Sequence, residues 1–397
     1  MKKFFSTIKN IFSIEDLRVR ILNTIGFLII FRLGSYIVLP GVNPDALGAG
    51  AQGGIFDLLN TFLGGSFSRA SIFALGIMPY ISASIVIQLM TFAVPYFQKL
   101  QKEGESGRKK LSQITRVLTI AVTLAQSIGY IATTIPSEAI YNPGVFFQLS
   151  SMIVLVAGTM FCMWLGEKIT DKGIGNGISM LIMIGIISRL LPSLFAEGIA
   201  RGMGGMLLFI IEMLALFFVV MAVVMLTQAT RRIPVQYAKQ VVGNKVYGGQ
   251  RQYIPLKVNS SGVMPIIFAQ ALMFLPPMIS NIWAESDVAN YVGTTFTDYT
   301  SWQYNLVFGL LILAFTFFYT AITVNPKNIA DDLKRNGGFI PGIKPGAQTS
   351  EFIDSVLTRI TLPGSIFLAL VAIMPAFALL INLFHLSSDK TICMLLP

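Results

Sequence analysis

The sequence predicts an all-α polytopic membrane protein, and three observations carry that assignment. Only 12% of its 397 residues are charged and 54% are hydrophobic, with a mean hydropathy of +0.70, so the chain lacks the polar surface of a water-soluble domain. Its apolar residues fall in blocks long enough for a helix, rising about 1.5 Å per residue, to cross the hydrocarbon core. None of these blocks alternates with the period of two that a membrane barrel requires.

Nine blocks qualify as spans: 21–39, 70–94, 117–134, 145–165, 174–195, 205–227, 260–284, 303–324 and 361–384. The first is preceded by a basic, amphipathic stretch and followed by no small-residue cleavage site, so a cleavable signal is not expected. With the N-terminus inside, cytosolic segments hold 24 Lys and Arg: five before the first span, six in 95–116, two in 166–173, six in 228–258 and five in 325–360. The opposite face holds Arg69, Arg189, Arg201 and Lys390, and Arg32 lies within a span. That bias sets the orientation. Part of it serves attraction to acidic lipid, but loops as long as 228–258 and 325–360 look like a docking surface.

Five spans precede a polar stretch at 197–204, dividing the chain into an N-terminal half, 1–200, and a C-terminal half, 201–397. Two five-span halves have opposite orientations, the inverted-repeat plan of many transport proteins; here the second half shows four spans. Between the first two spans, 53–65 reads GGIFDLLNTFLGG. Too short to cross and flanked by glycine pairs, it is either a re-entrant, plug-like half-helix or an interfacial amphipathic turn. In loop 228–258, Val235 to Val242, Gly243-Asn244 and Lys245 to Tyr247 suit a β-hairpin with a two-residue turn. In loop 325–360, NPKNIADDLKRNGG suits a helix continuing past the membrane and ended by Gly337-Gly338, followed by a Pro/Gly tip that presents Lys344.

Chemistry is sparse. There is no phosphate-binding GxxxxGK[ST] loop, so the chain has no recognisable means of using ATP. His385 is the sole histidine, and Cys162 and Cys393 are the only cysteines, which argues against metal sites, a disulfide framework and base-assisted nucleophiles. No catalytic residue, cofactor or metal is expected. Ion-coupled transporters carry intramembrane charges; only Arg32 and Glu212 qualify here. What remains is a passive path that borrows its energy. Ile81 and Ile85 share one helix face, and with Ile182 and Ile267 they could form an aliphatic ring that seals by dewetting; isoleucine in a membrane helix more often faces lipid or a neighbouring helix, and the residues alone favour that reading.

Six stretches resemble the SecY family, the central subunit of the bacterial protein translocon: SFSRASIFALGIMPYISASIVIQL (66–89), KEGESGRKKLSQ (102–113), GIGNGIS (173–179), RRIPVQYAK (231–239), PLKVNSSGVMPIIFA (255–269) and GGFIPGIKPG (337–346). They occur in family order. The resemblance implies a ten-span, two-half clamshell with a plug after the first span. A lateral gate lies between the second and third spans and the seventh and eighth. The plug falls at 54–66, with Phe56, Leu58, Leu59, Phe62 and Leu63 as its apolar residues. Ile81, Ile85, Ile182 and Ile267 belong to the pore ring, and Gln88 and Asn259 sit near the gate. Arg231, Arg232, Lys239, Lys245, Arg251, Lys257, Lys334, Arg335 and Lys344 dock the ribosome or the SecA motor ATPase. SecE and SecG complete a heterotrimer in the cytoplasmic (inner) membrane, N-terminus cytoplasmic. The substrates are signal sequences and unfolded polypeptides, exiting across the membrane or sideways into lipid, and no nucleic-acid sequence is recognised. Two departures stand out: Lys344 replaces the family's arginine, losing its bidentate fork, and the ending SSDKTICMLLP does not match the family's tenth span, for which a truncated or misread gene is the first expected explanation and a working nine-span channel the second.

Overall fold

The computed structural model describes residues 12–49, 63–200, 205–237, 240–242, 245–247, 251–273, 287–298 and 300–393, together with Ser6, Asn60 and Pro276. The chain divides into two compact units, Met1–Gly202 and Met203–Pro397. Among the described residues six helices are long and apolar enough to cross a membrane, or seven if one sharply bent pair counts as a single crossing.

In the N-terminal unit, α1 (Glu15–Gly34) carries Glu15 and Asp16 in its first turn and Arg32 in its last, charges that complement the helix dipole. The apolar block at 70–94 departs from the single span read in the sequence: it is helical only from Met78 (α2, Met78–Ala93), with proline in its first turn. The preceding residues run as an irregular, mostly buried segment between α1 and α5 (Val145–Lys172). Phe73 stacks on Phe31 of α1 and on Phe161 of α5, with centroids 5.9 and 5.8 Å apart. It fits because Gly34 and Gly158 lack the Cβ that would overlap Phe73 and the Ile72 carbonyl. Irregular backbone at membrane depth needs partners inside the protein. The chain leaving α1 supplies them: Leu39 N donates to Ala70 O at 2.8 Å and Ile72 N to Ile37 O at 2.9 Å.

α2 ends at Val94, before Pro95, and the chain turns through 100° into α3 (Pro95–Lys102). Gly104, at φ +72°, leads into α4 (Glu105–Thr134), on which α2 packs. Thr115, Thr119 and Thr123 line one buried face of α4 at four-residue spacing. Each hydroxyl donates to the carbonyl four residues earlier, at 2.9, 2.7 and 2.6 Å. The polar groups are thus satisfied within the helix, and their small size allows close helix contact. α5 and α6 (Gly177–Ala200) approach through Gly166 and Gly177, and Thr24 of α1 accepts the Ile174 N–H of the intervening turn at 3.1 Å.

In the C-terminal unit, α7 (Met206–Gln228) leads into β1 (Thr230–Tyr237), β2 (Gln240–Val242), β3 (Lys245–Tyr247) and β4 (Arg251–Lys257). β2 pairs with β3 from Val242–Lys245 outward, the register a two-residue turn imposes. β1 pairs antiparallel with β4, a longer hairpin that the sequence reading misses. Then come α8 (Met264–Met273), α9 (Asp287–Thr297), α10 (Trp302–Thr323) and α11 (Pro326–Arg335). α11 continues α10 past the span as expected, after a two-residue break at Val324 and Asn325 where the Asn325 side chain accepts from Lys327 N and Asn328 N. β5 (Gly338–Phe339) joins β1, giving the sheet order β4-β1-β5. α12 (Ala347–Cys393) follows, absorbing the last part of the expected loop 325–360 into one long helix. Phe268 sits edge-on to Phe315 and Tyr319, holding α8 on α10.

Candidate functional site

Four groups of expected functional residues occupy different parts of this frame. On α2, Ile81 and Ile85 are each 6% exposed, and Ala83 and Ile87, on the opposite helix face, are also buried. α2 is therefore covered on two sides, although α4 accounts for its main packing. Ile182 is half-buried on α6, which packs on α5 and α1. Ile267 is half-buried on α8 of the other unit.

Of the expected plug residues, Phe56, Leu58, Leu59 and Phe62 lie outside the described residues; Leu63 is buried in the N-terminal core with Phe67, Ala74 and Leu75. The chain around it is firmly tied. Asn60 Oδ1 accepts from Ser68 N at 3.2 Å and from Ser68 Oγ at 3.0 Å, and Asn60 O accepts from Gly65 N at 2.8 Å. Gly64 and Gly65 adopt φ of +63° and +86°, which only glycine takes without strain. Both are buried. Arg32 Nη1 and Arg69 Nη2 donate to Gly64 O, each at 2.9 Å, and Arg69 Nε donates to Gly65 O at 3.0 Å. On its other side Gly64 abuts the backbone of Gly185 in α6. The second glycine pair flanking the 53–65 stretch is an anchored turn. Sequence reasoning missed this arginine group; the only signal was that Arg69 and Arg189 fall on the face expected to carry few cations and that Arg32 falls within an expected span.

Of the two gate candidates, Gln88 is half-buried on α2, its Nε2 donating to Ser84 Oγ at 3.3 Å. Asn259 is buried in the C-terminal unit. Its Oδ1 accepts from Ser261 Oγ at 3.2 Å, but its Nδ2 has no hydrogen-bond partner among the described residues. A buried amide without a partner weakens the state that buries it by about 1–3 kcal/mol.

The fourth group shares one scaffold. Ile233, Val235 and Leu256 of the β1–β4 hairpin, with Leu333 of α11, Ile340 after β5, and Ile353 and Leu357 of α12, form a single buried core. The two basic loops are therefore one packed body. In its register Arg232, Arg251 and Lys257 fall on the face opposite Ile233 and Val235. Arg231, Arg232, Lys257, Lys334, Arg335 and Lys344 are exposed. Lys239 lies outside the described residues, and Lys245 is placed by its backbone in β3. Lys344 tops a tip shaped by Gly342 and Gly346, at φ +87° and +107°, and fastened by Thr349 Oγ1 donating to Lys344 O at 2.9 Å. Among the described residues no group of acidic, His or Cys side chains could hold a metal.

The largely helical fold is similar to that of solved protein-conducting channels. One such channel superposes with a TM-score of 0.65 at 16% identity, covering 91% of this chain and 86% of that one. Sec61 from a canine ribosome-channel complex of the endoplasmic reticulum does so with 0.58 at 14% identity, covering 92% of each. The SecY family profile matches residues 71–393. The protein translocase subunit SecY of Halalkalibacterium halodurans is 45% identical, covering 94% of this chain and 89% of its own length; that of Escherichia coli K12 is 44% identical, covering 91% and 84%. The chain belongs to the SecY family. It is a channel subunit of a protein translocase and not an enzyme.

Proposed function

We propose that this chain forms a gated path for unfolded secretory polypeptides across the cytoplasmic membrane and a sideways exit for apolar segments into lipid. Its N-terminus is cytoplasmic, and its two units correspond to the two halves of an inverted repeat. Ile81, Ile85, Ile182 and Ile267 form the waist, and the segment 54–66 plugs it from outside. Gln88 and Asn259 line the lateral gate, where the unpaired Asn259 amide lowers the stability of the closed state and so eases opening. Apolar signal helices leave through that gate because burying their side chains in lipid is favourable.

The observation that carries this reading is the irregular, buried stretch before α2, which delivers Ile81 and Ile85 to the interior directly after the plug segment. SecE and SecG complete the assembly. The β4-β1-β5 body, with Arg231, Arg232, Lys239, Lys245, Arg251, Lys257, Lys334, Arg335 and Lys344, engages the SecA motor or the ribosome that supplies the energy. A secretory precursor stalled in transit should crosslink to cysteines introduced as Ile81→Cys and Ile267→Cys. No adduct at either position would remove the basis for the waist.

A further inference from the structure

The arginines at Gly64–Gly65 are more numerous than an anchored turn requires. Arg32 and Arg69 share the Gly64 carbonyl, so their guanidinium groups are neighbours. Arg69 Nη2 and Arg189 Nε both lie close to the point where a Cβ on Gly65 would stand, the latter 3.2 Å from it. Three cations thus converge within the N-terminal unit, and among the described residues no acidic side chain forms an ion pair with any of them. All three are half-buried, and like charges gathered away from full solvent repel unless an anion joins them.

Their donors are also under-used. Each guanidinium offers five N–H groups, and among the described residues the three groups make four hydrogen bonds, to the Gly64 and Gly65 carbonyls and the Tyr36 hydroxyl, with Arg189 contributing none. The group opens to the surface at Tyr36, whose ring lies 4.9 Å from Arg32 Cζ and 4.3 Å from Arg69 Cζ. That ring is 55% exposed and is flanked by the exposed Leu33 and Ile37. A cationic, donor-rich recess therefore adjoins an apolar outer face.

We propose that Arg32, Arg69 and Arg189 form a binding site for a phosphate group, entered beside Tyr36. The guanidinium fork matches phosphate oxygens bidentately, and a tetrahedral anion can accept from several converging forks at once. An anionic phospholipid headgroup and free inorganic phosphate share this chemistry. The full chain with its accompanying subunits, reconstituted in nanodiscs of mixed phosphatidylglycerol and phosphatidylcholine, separates the sources by native mass spectrometry. Among the described residues Arg189 makes no hydrogen bond and none of the bonds that fasten the Gly64 turn comes from it, so Arg189→Leu tests the site without loosening that turn. The wild type should retain phosphatidylglycerol over phosphatidylcholine, with Arg189→Leu binding it about tenfold more weakly and Arg189→Lys intermediate. In nanodiscs of phosphatidylcholine alone, inorganic phosphate should raise the unfolding midpoint above that in chloride of matched ionic strength, and this rise should vanish in Arg189→Leu. Retention of phosphatidylglycerol without a phosphate shift assigns the site to lipid; the reverse assigns it to the free ion. Absence of both effects overturns the proposal, as does an effect unchanged in Arg189→Leu.

Discussion

Two glycine-marked basic sites, one in each unit, use the same residue types for opposite ends. At Gly64–Gly65 the glycines are buried, an added Cβ would meet Arg32, Arg69 and the Gly185 backbone, and the cations point inward onto carbonyls. At Gly342 and Gly346 the same left-handed conformation stands in open space, with nothing within 4 Å of an added Cβ, and Lys344 between them faces outward. Positive φ fixes where the chain must turn; the neighbours decide whether that turn is an anchor or a probe. The difference suits the proposed roles, a channel wall that must hold its shape and a tip that must meet a partner.

Substitutions can break or sharpen this contrast. The largest effect is expected from Gly64→Val, where left-handed strain and overlap with Gly185 add to about 4 kcal/mol, seen as a large drop in the thermal midpoint. Leu333→Ala, beneath the exposed basic surface, should cost about 3 kcal/mol through the cavity it leaves. Limited proteolysis should then cut loops 228–258 and 325–360 while the spans stay protected. Gly342→Ala should cost only the conformational strain, about 1 kcal/mol, with no change in ion leak. Asn259→Leu removes a buried amide nitrogen without a partner among the described residues but also the acceptor of the buried Ser261 hydroxyl, so the two effects should largely cancel, leaving stability within about 1 kcal/mol of wild type while signal-sequence crosslinking at the gate slows. The smallest effect belongs to Glu167→Gln. It breaks the part-exposed pair in which Arg116 Nη2 lies 2.7 Å from Glu167 Oε2 and should cost less than about 1 kcal/mol, fading as salt rises.

Much of the fold is legible because a bilayer demands long apolar helices, and those stand out in any window of the chain. The 70–77 stretch is misread for the same reason: it is as apolar as a span, yet two of its backbone hydrogen bonds join it to Ile37 and Leu39, partners a local window cannot see. The β2–β3 hairpin is readable from Gly243-Asn244, a local signal. The β1–β4 and β1–β5 pairings are not, since Pro234 and Pro255 argue against strands and Gly338-Phe339 carries no strand signature. Both prolines are tolerated because β4 is an edge strand and Pro234 lies beyond the reach of β5. The same limit applies to sites. Charged residues adjacent in one loop can be grouped by eye, whereas Arg32, Arg69 and Arg189 meet only once three separate segments have packed.

The central claim is that aliphatic side chains from both units meet at a waist that a threaded polypeptide parts. Oxidising Ile81→Cys together with Ile267→Cys, in a background where Cys162 and Cys393 are replaced by serine, tests it most directly. The account predicts a disulfide in the resting complex that no longer forms when a precursor is stalled in transit. A resting complex that forms no bond, or one that forms it equally well with the precursor in place, would contradict the waist.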